Sequence, residues 1–279
     1  MNRQGFSYAK KGSVVRLAYL IVALISFFLR RMFGRADGVV VLCFHSVSAK
    51  QRPAFKRQMQ YIKERAASLD QIQGASDSDA LIVVTFDDAF ESLLDNVVPV
   101  VRDLQVPIAI FAVSGNLGKT PAWLSDSGHP DANLPTMSAE QLRQLAKEPG
   151  FIIGSHSASH RRLGDLPIAE IDFELATSKA SLENMLGVPC YHLALPHGSY
   201  RPEVIDLAIR HGYRRVLTLD EIALPSRWPE RTTGRFVVSP DMWMIEFVLT
   251  VNGAYAWLYA WRSGIRRLRL SFAGLGHAR

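Results

Sequence analysis

Residues 81–88 read LIVVTFDD. An apolar and β-branched run of this kind, too short for a helix and lacking polar alternation, is a strand buried on both faces. Two adjacent carboxylates, Asp87 and Asp88, close it. Strands buried on both faces belong to parallel sheets sheathed in helices, and such sheets carry their functional residues at the C-terminal strand ends. The chain repeats the pattern: residues 38–45 (GVVVLCFH), 106–113, 151–154, 191–195, 216–219 and 235–238 are further short apolar runs. Helical patterns lie between them. Residues 53–65 place Phe55, Met59 and Ile62 on one side, and residues 96–104 do the same with Val97, Val100, Val101 and Leu104. Ser138 and Gln141 form a capping-box opening for a helix to residue 147. Residues 168–186 end at Gly187, and residues 202–211 begin with Pro202 and precede Gly212.

Strand–helix alternation predicts an α/β fold. Seven strand candidates with polar residues at their C-terminal ends and no glycine-rich phosphate loop favour a barrel over a dinucleotide fold, with hydrophobic N- and C-terminal helical extensions. The expected organisation is a basic N-terminal segment with a hydrophobic anchor helix at 1–37, a catalytic domain at 38–240, and an aromatic and basic helical segment at 241–279.

Successive strand residues point to opposite sides, so Asp87 and Asp88 take different jobs. One acid can bind a metal while the other moves protons; the competing reading makes Asp88 the N-cap of a following helix. His156 and His160 stand four apart just after the 151–154 run. Imidazoles suit zinc and related ions, a carboxylate commonly completes the set, and three protein ligands leave room for water and a substrate oxygen. A water acidified by a metal needs a general base within hydrogen-bond reach, and the oxyanion it forms needs backbone donors. The turn at Pro196, His197 and Gly198 is placed to supply one. This constellation describes metal-assisted hydrolysis of an amide or ester.

The two ends read differently. The net charge is +6, with Lys10, Lys11, Arg16, Arg30, Arg31 and Arg35 around the first apolar run and Arg262, Arg266, Arg267 and Arg269 after the last. Zinc-finger spacing and aromatic-basic RNA motifs are lacking, so nucleic acid is not the expected partner. Basic flanks beside apolar stretches predict an anionic membrane surface. Residues 17–29 form an uncharged apolar run of 13, between the lengths of a signal core and a span. An uncleaved membrane anchor is expected, against the alternative of a core helix. Residues 247–261 form an uncharged run of 15 broken by Asn252 and Gly253; a membrane-interface segment and a helical pair packed on the barrel both fit. Cys43 reads as a small core residue, Trp123 as the plug of a loop over 119–135, and His129, His192, His211 and His277 as surface or turn residues, with Asp220 and Glu221 decorating a loop.

Three stretches resemble, in order, motifs of the polysaccharide deacetylases (carbohydrate esterase family 4, the NodB-homology group): Thr85-Phe86-Asp87-Asp88, His156-Ser157-Ala158-Ser159-His160, and Leu195-Pro196-His197-Gly198-Ser199-Tyr200. Phe44-His45-Ser46-Val47 and residues 178–187 extend the resemblance, which covers roughly residues 38–240. It implies a distorted (β/α)7–8 TIM-like barrel and a metal-dependent hydrolase removing N-acetyl groups from amino sugars of a bacterial exopolysaccharide or cell-envelope glycan. By that resemblance Asp87 is the general base, Asp88, His156 and His160 hold a divalent metal, usually Zn2+, and Pro196, His197 and Tyr200 serve substrate and oxyanion. Leu193 and His197 stand where many members have arginine and tyrosine, and exopolysaccharide deacetylases often lack that arginine too. The late Leu-x-His motif appears as Leu217-Thr218-Leu219, without its histidine, so His45 and His197 become the candidates for general acid. Arg235 stands where that subgroup places an arginine near the site. Expected partners are the N-acetylated glycan, the membrane surface and polysaccharide synthesis or export machinery, at the bacterial inner membrane. Two alternatives stay open: deacylation of a lipid-linked sugar, and a catalytically silent glycan-binding component of an export machine.

Overall fold

The computed structural model describes residues 13–33, 38–74, 80–125, 127–221, 232–258 and 261. Expectations for Lys10, Lys11, Arg35, His277 and the arginines from 262 onward lie outside these residues. Helix α1 (Ser13–Met32) precedes β1 (Val40–Phe44), α2 (Arg52–Ile62) and β2 (Ile82–Phe86). Then come α3 (Ser92–Asn96), α4 (Val98–Leu104), β3 (Ile108–Ala112), α5 (Ala139–Ala146), β4 (Phe151–Ser155) and α6 (Ile168–Leu186). The chain continues through β5 (His192–Ala194), α7 (Pro202–Arg210), β6 (Arg215–Leu217), β7 (Thr232–Thr233), β8 (Phe236–Val237) and α8 (Met244–Val251).

All the strand pairings are parallel, in the order β7-β6-β5-β4-β3-β2-β1-β8. The two ends of that order are neighbours in sequence, separated by Gly234 and Arg235. Residues 232–237 therefore close the barrel: the first half pairs with β6 and the second with β1. The sequence predicts one strand at 235–238. One straight run cannot stay hydrogen-bonded to β6 and also reach β1, so it splits at Arg235 into two short strands.

Alternation along the strands sorts the core in two. Val40, Leu42, Phe44, Ile82, Val84, Phe86, Ile108 and Ile110 join the cluster shared with the helices. Val39, Val41, Val83, Ala109, Phe111, Ala194 and Leu217 form the barrel interior. Ala67, Leu69 and Ile72 belong to that interior cluster. They come from the segment after α2, where Ala67 N–H donates to Ile82 O at 2.9 Å. The barrel is thus filled with apolar side chains toward the N-terminal strand ends. Toward the other end its interior rung is Cys43, Thr85 and Arg235, all fully buried.

The helices follow the expected faces. Phe55, Met59 and Ile62 of α2 are buried, and Phe55 packs edge-on against Phe44 and Phe86. The capping box of α5 is formed in both directions, Gln141 N–H to Ser138 Oγ at 3.2 Å and Ser138 N–H to Gln141 Oε1 at 2.7 Å. Gly187 ends α6 with φ of 72°. Residues 96–104 hold only the second of two helices, because Pro99 lacks the N–H needed to continue α3 and instead sits in the first turn of α4.

The terminal runs pack on each other. Leu20 and Ala23 of α1 are buried, and Arg16 forms a two-pronged ion pair with Glu246 of α8, Nε to Oε1 at 2.7 Å. Tyr19 stacks on Trp257 with ring centroids 5.6 Å apart. Phe247, Val251, Ala254, Tyr255 and Leu258 are buried in the main core, so the 247–258 stretch packs back on the body. Among the described residues no helix is long and apolar enough to cross a membrane. His192 is a correction to its surface reading. It is buried, with Nε2 2.8 Å from Asp70 Oδ1. Glu221 is buried too. Cys43 and Cys190 are both buried free thiols.

Gly154 of β4 is required by packing: a Cβ there would lie 2.4 Å from Phe111 Cε1. Gly154→Ala is expected to cost about 1–3 kcal/mol, the range for overpacking a filled core, read as a lowered urea midpoint. An unchanged midpoint would show that Phe111 moves aside freely.

Candidate active site

The site stands over the polar rung of the barrel. Asp87 continues β2, its N–H donating to Phe44 O at 2.9 Å, and its carboxylate meets Arg235. The guanidinium donates from Nη1 to Oδ1 at 2.6 Å and from Nη2 to Oδ2 at 2.8 Å. Nη1 also reaches Thr85 Oγ1 at 3.2 Å, and Nε donates to Thr218 O at 3.2 Å. Thr85 passes its own proton to Leu42 O at 2.7 Å. The Cys43 thiol lies 3.3 Å from Asp87 Oδ2; burial pushes its pKa well above the ordinary range, so it stays a donor. Burial by itself disfavours charge on Asp87, but Arg235, and after it His156, outweigh that and hold the carboxyl below its ordinary range.

Asp88 goes elsewhere. It and Ala89 take φ of 68° and 51°, so the chain turns left-handed directly after Asp87. The divergence of the two acids comes from this kink and not from strand alternation. The helix-cap reading of Asp88 fails, because the residue at the N-cap of α3 is Glu91. Asp88 Oδ1 instead lies 3.2 Å from His160 Nε2 and 3.8 Å from His156 Nε2. It is a buried atom without a hydrogen-bond partner. Burial raises the Asp88 pKa and the adjacent histidines lower it, with a net depression.

His156 follows β4, its N–H bonded to Ala112 O at 2.8 Å. Its ring Nδ1 is 2.8 Å from Ala194 O. A carbonyl only accepts, so the proton sits on Nδ1 and the Nε2 lone pair faces the carboxylates. Burial holds the His156 pKa down to about 4, which keeps the ring neutral near pH 7. His160 packs between Trp123, stacked at 4.3 Å, His156 at 4.9 Å and His197 at 4.6 Å. Its loop hangs from Glu174, a buried carboxylate of α6 that accepts from Ala158 N–H at 3.0 Å, Ser159 N–H at 2.9 Å and the Ser159 hydroxyl. Gly115 closes the other side: its N–H donates to Ala158 O at 2.9 Å, where a Cβ would come within 2.7 Å.

Positive φ at a non-glycine residue stores strain, and such residues cluster at functional sites. Of the six among the described residues, five are Asp88, Ala89, Ser157, His160 and His197. That concentration marks these loops as held in shape by their surroundings. His197, at φ 57°, lies in the turn of residues 196–198. Its backbone N–H has no hydrogen-bond partner among the described residues. Burial first, then His160, brings its pKa down to about 4. His45 tops β1, and Cys43, His45 and Asp87 have ligand-type atoms within 4.8 Å of one another. Pro196 is buried at the head of the turn. Tyr200 donates to Asp220 Oδ2 at 2.6 Å.

Asp88, His156 and His160 bring one ligand atom each within 4.8 Å of one another. A neutral imidazole with its far nitrogen already bonded and a buried carboxylate oxygen lacking a partner are what a divalent cation requires. The donor set fits. Four residues have roles here that the sequence does not announce: Trp123 is a wall of the His160 pocket, Cys43 a donor to Asp87, Glu174 the support of the histidine loop, and Thr85 an acceptor from Arg235. Nothing in their spacing signals these roles.

A parallel β-barrel with two carboxylates and two imidazoles converging above its strand ends defines a hydrolase-type site. Residues 74–216 match the family model described as polysaccharide deacetylase, and the chain belongs to that family. YxkH of Bacillus subtilis (strain 168) is 23% identical over 215 residues, 72% of each chain. Among solved structures, IcaB from Ammonifex degensii superposes with a TM-score of 0.64 at 23% identity, over 78% of this chain and 98% of that one. A de-N-acetylase from Aggregatibacter actinomycetemcomitans gives 0.60 at 17% identity, over 76% and 99%. These likenesses carry the fold.

Arg235→Leu leaves Asp87 buried and unpaired, and is expected to lower stability by about 3–5 kcal/mol. Adding Asp87→Asn to it recovers most of the loss; a double variant no more stable than Arg235→Leu would show that packing, not charge, dominates. The depressed Asp87 pKa also fixes a pH sign. Its stabilisation is present above the ordinary value of 3.8 and is lost as pH falls below it. Acid titration of unfolding should therefore show a shallower decline in Asp87→Asn than in the parent.

Proposed function

We propose that this chain is a metal-dependent hydrolase that removes N-acetyl groups from amino sugars of a bacterial exopolysaccharide or cell-envelope glycan. The observation that carries the reading is the convergence of Asp88 Oδ1, His156 Nε2 and His160 Nε2 beside a second carboxylate, Asp87, held ionised by Arg235. Family membership supports a glycan substrate, and the shared fold with a protein described as a de-N-acetylase supports the N-acetyl group. Leu193 in place of the arginine of many members supports an exopolysaccharide.

Asp88, His156 and His160 would hold the cation, most readily Zn2+ given two imidazoles and one carboxylate. When bound there, such an ion supplies Lewis-acid chemistry, polarising the acetamide carbonyl and acidifying a water. Asp87 then takes the proton of the attacking water on its carboxylate. The His197 N–H, turned out by its left-handed backbone, donates to the developing oxyanion. The leaving amine needs a proton. With its pKa near 4, His197 carries none to give at neutral pH; His45, within reach of Asp87, is the better placed donor.

Acetate release from short N-acetylglucosamine oligomers tests this. Zinc-loaded protein should release acetate, metal-stripped protein should not, and Asp87→Asn should lose about 10²-fold or more, the usual share of a general base, while still binding zinc. Zinc bound without turnover on any glycan would remove the deacetylase assignment, and failure to bind any divalent ion would remove the site. Glu174→Ala loosens the His160 loop and is expected to weaken zinc binding by about 10–100-fold, the cost of losing an outer support of a ligand, read by competition with a chromophoric chelator.

A further inference from the structure

Residues 17–29 of helix α1 are uncharged on every side, yet only one side is covered. Its inner face presents Leu20 and Ala23 to the body and is fastened by Arg16–Glu246 and by the Tyr19–Trp257 stack. On the opposite side Leu17, Ile21, Ile25, Phe28, Leu29 and Met32 recur at three- and four-residue intervals, and all are exposed. Ile25 is 54% exposed, Phe28 65% and Met32 70%. A helix lying on a water-facing surface carries polar residues outward, whereas one that is hydrophobic all round is covered all round. A contiguous exposed stripe of this size marks a contact surface.

Charge decides what the contact is. The helix contains no acidic residue, and Arg30 and Arg31 occupy its last turn. In sequence Lys10 and Lys11 precede it and Arg35 follows. Beside it, Arg16 lies over the half-exposed ring of Trp243 at 3.8 Å, an aromatic–cation pairing suited to a headgroup layer. Two copies of this face brought together would oppose like charges around a common two-fold axis. An anionic surface neutralises them. Twenty helical residues reach about 30 Å, the thickness of a hydrocarbon core. However, the inner face is occupied by the body and Arg16 by a buried carboxylate, which leaves the helix lying against the protein.

We infer that the outward face of α1 lays the protein on an anionic lipid bilayer, in the plane of the headgroups, with α8 as the clamp that fixes the barrel to the docked helix. Burial of the apolar stripe supplies the attraction and the flanking cations set its preference for negative lipid. This surface is distinct from the metal-ligand cluster and stands whether or not the proposed deacetylation is correct.

Sedimentation of the full chain with vesicles tests it, using phosphatidylcholine alone and phosphatidylcholine containing one quarter phosphatidylglycerol. The protein should pellet with the anionic vesicles, less with the neutral ones and less at high salt. Ile25→Glu with Phe28→Glu should weaken binding by about tenfold or more, since it places charge within the buried stripe. Arg31→Glu, an exposed charge change, should weaken binding in the same direction. Matching thermal midpoints confirm that the variants fold; should the double variant unfold, Arg31→Glu decides. Protein left in the supernatant with both vesicle types overturns the inference. So does a dimer, seen by light scattering, that the double variant dissociates without any vesicle binding. Retention on membranes through an alkaline carbonate wash would point to a span and would also overturn it.

Discussion

A carboxylate and a guanidinium sealed together inside the barrel set the terms for the rest of this structure. Either charge alone would be intolerable there, and the pair persists because every donor of Arg235 that points inward finds an acceptor: Asp87 twice, Thr85 and the Thr218 carbonyl. Arg235 is also the residue at which the closing segment leaves β6 for β1. Closure and site electrostatics are therefore one interaction. The bend that completes the barrel delivers the cation, and the cation determines that Asp87 remains ionised. An apolar replacement of both partners could match or exceed the stability, but it would remove the ionised carboxylate that stands beside Asp88, His156 and His160. The pair is better explained by chemistry than by folding.

Around that pair the backbone is held in conformations that non-glycine residues avoid, each costing on the order of 1–3 kcal/mol. The compensation is visible. Glu174 binds two amides and a hydroxyl of the histidine loop, Ser157 Oγ accepts from His160 N–H at 3.0 Å, and Gly115 bonds the Ala158 carbonyl. The strained kink at Asp88 has the same logic. It turns the second carboxylate out of the line of β2, toward His160, and leaves Asp87 to Arg235. Two neighbouring acids thus acquire separate electrostatic partners within one residue of chain.

The elements that were legible in the sequence are those whose signal is local. Parallel strands buried on both faces are continuous apolar runs, so all seven predicted runs hold a strand, β7 alone among the described strands going unread, and the capping box and Gly187 stop are formed as read. The motif residues were legible as chemistry because carboxylates and imidazoles at strand ends have few other uses. What escaped was relational. The split at Arg235 depends on which distant strands its two halves pair with. The left-handed turn at Asp88 has no glycine to announce it. Trp123 and Glu174 matter only because folding brings them to His160 and its loop, and neither residue's periodicity carries that information. His192 reads as a surface or turn residue in sequence, since nothing local points to Asp70.

Helix α1 shows the same limit from the other side. A uniformly apolar run does not say which of its faces the protein covers, so the sequence left anchor and core helix as rivals. Its inner face behaves as core, and its outer face does not. The division follows from a second buried ion pair: Glu246 is almost fully enclosed, and Arg16 is the cation that meets it. A desolvated carboxylate strongly penalises loss of its partner, so the N-terminal helix is tied to α8 at a fixed rotation about its axis. That rotation turns Leu20 and Ala23 inward and leaves the Ile25 and Phe28 side outward. Thus one arginine–carboxylate pair fixes what the barrel can do and the other fixes which surface the protein presents.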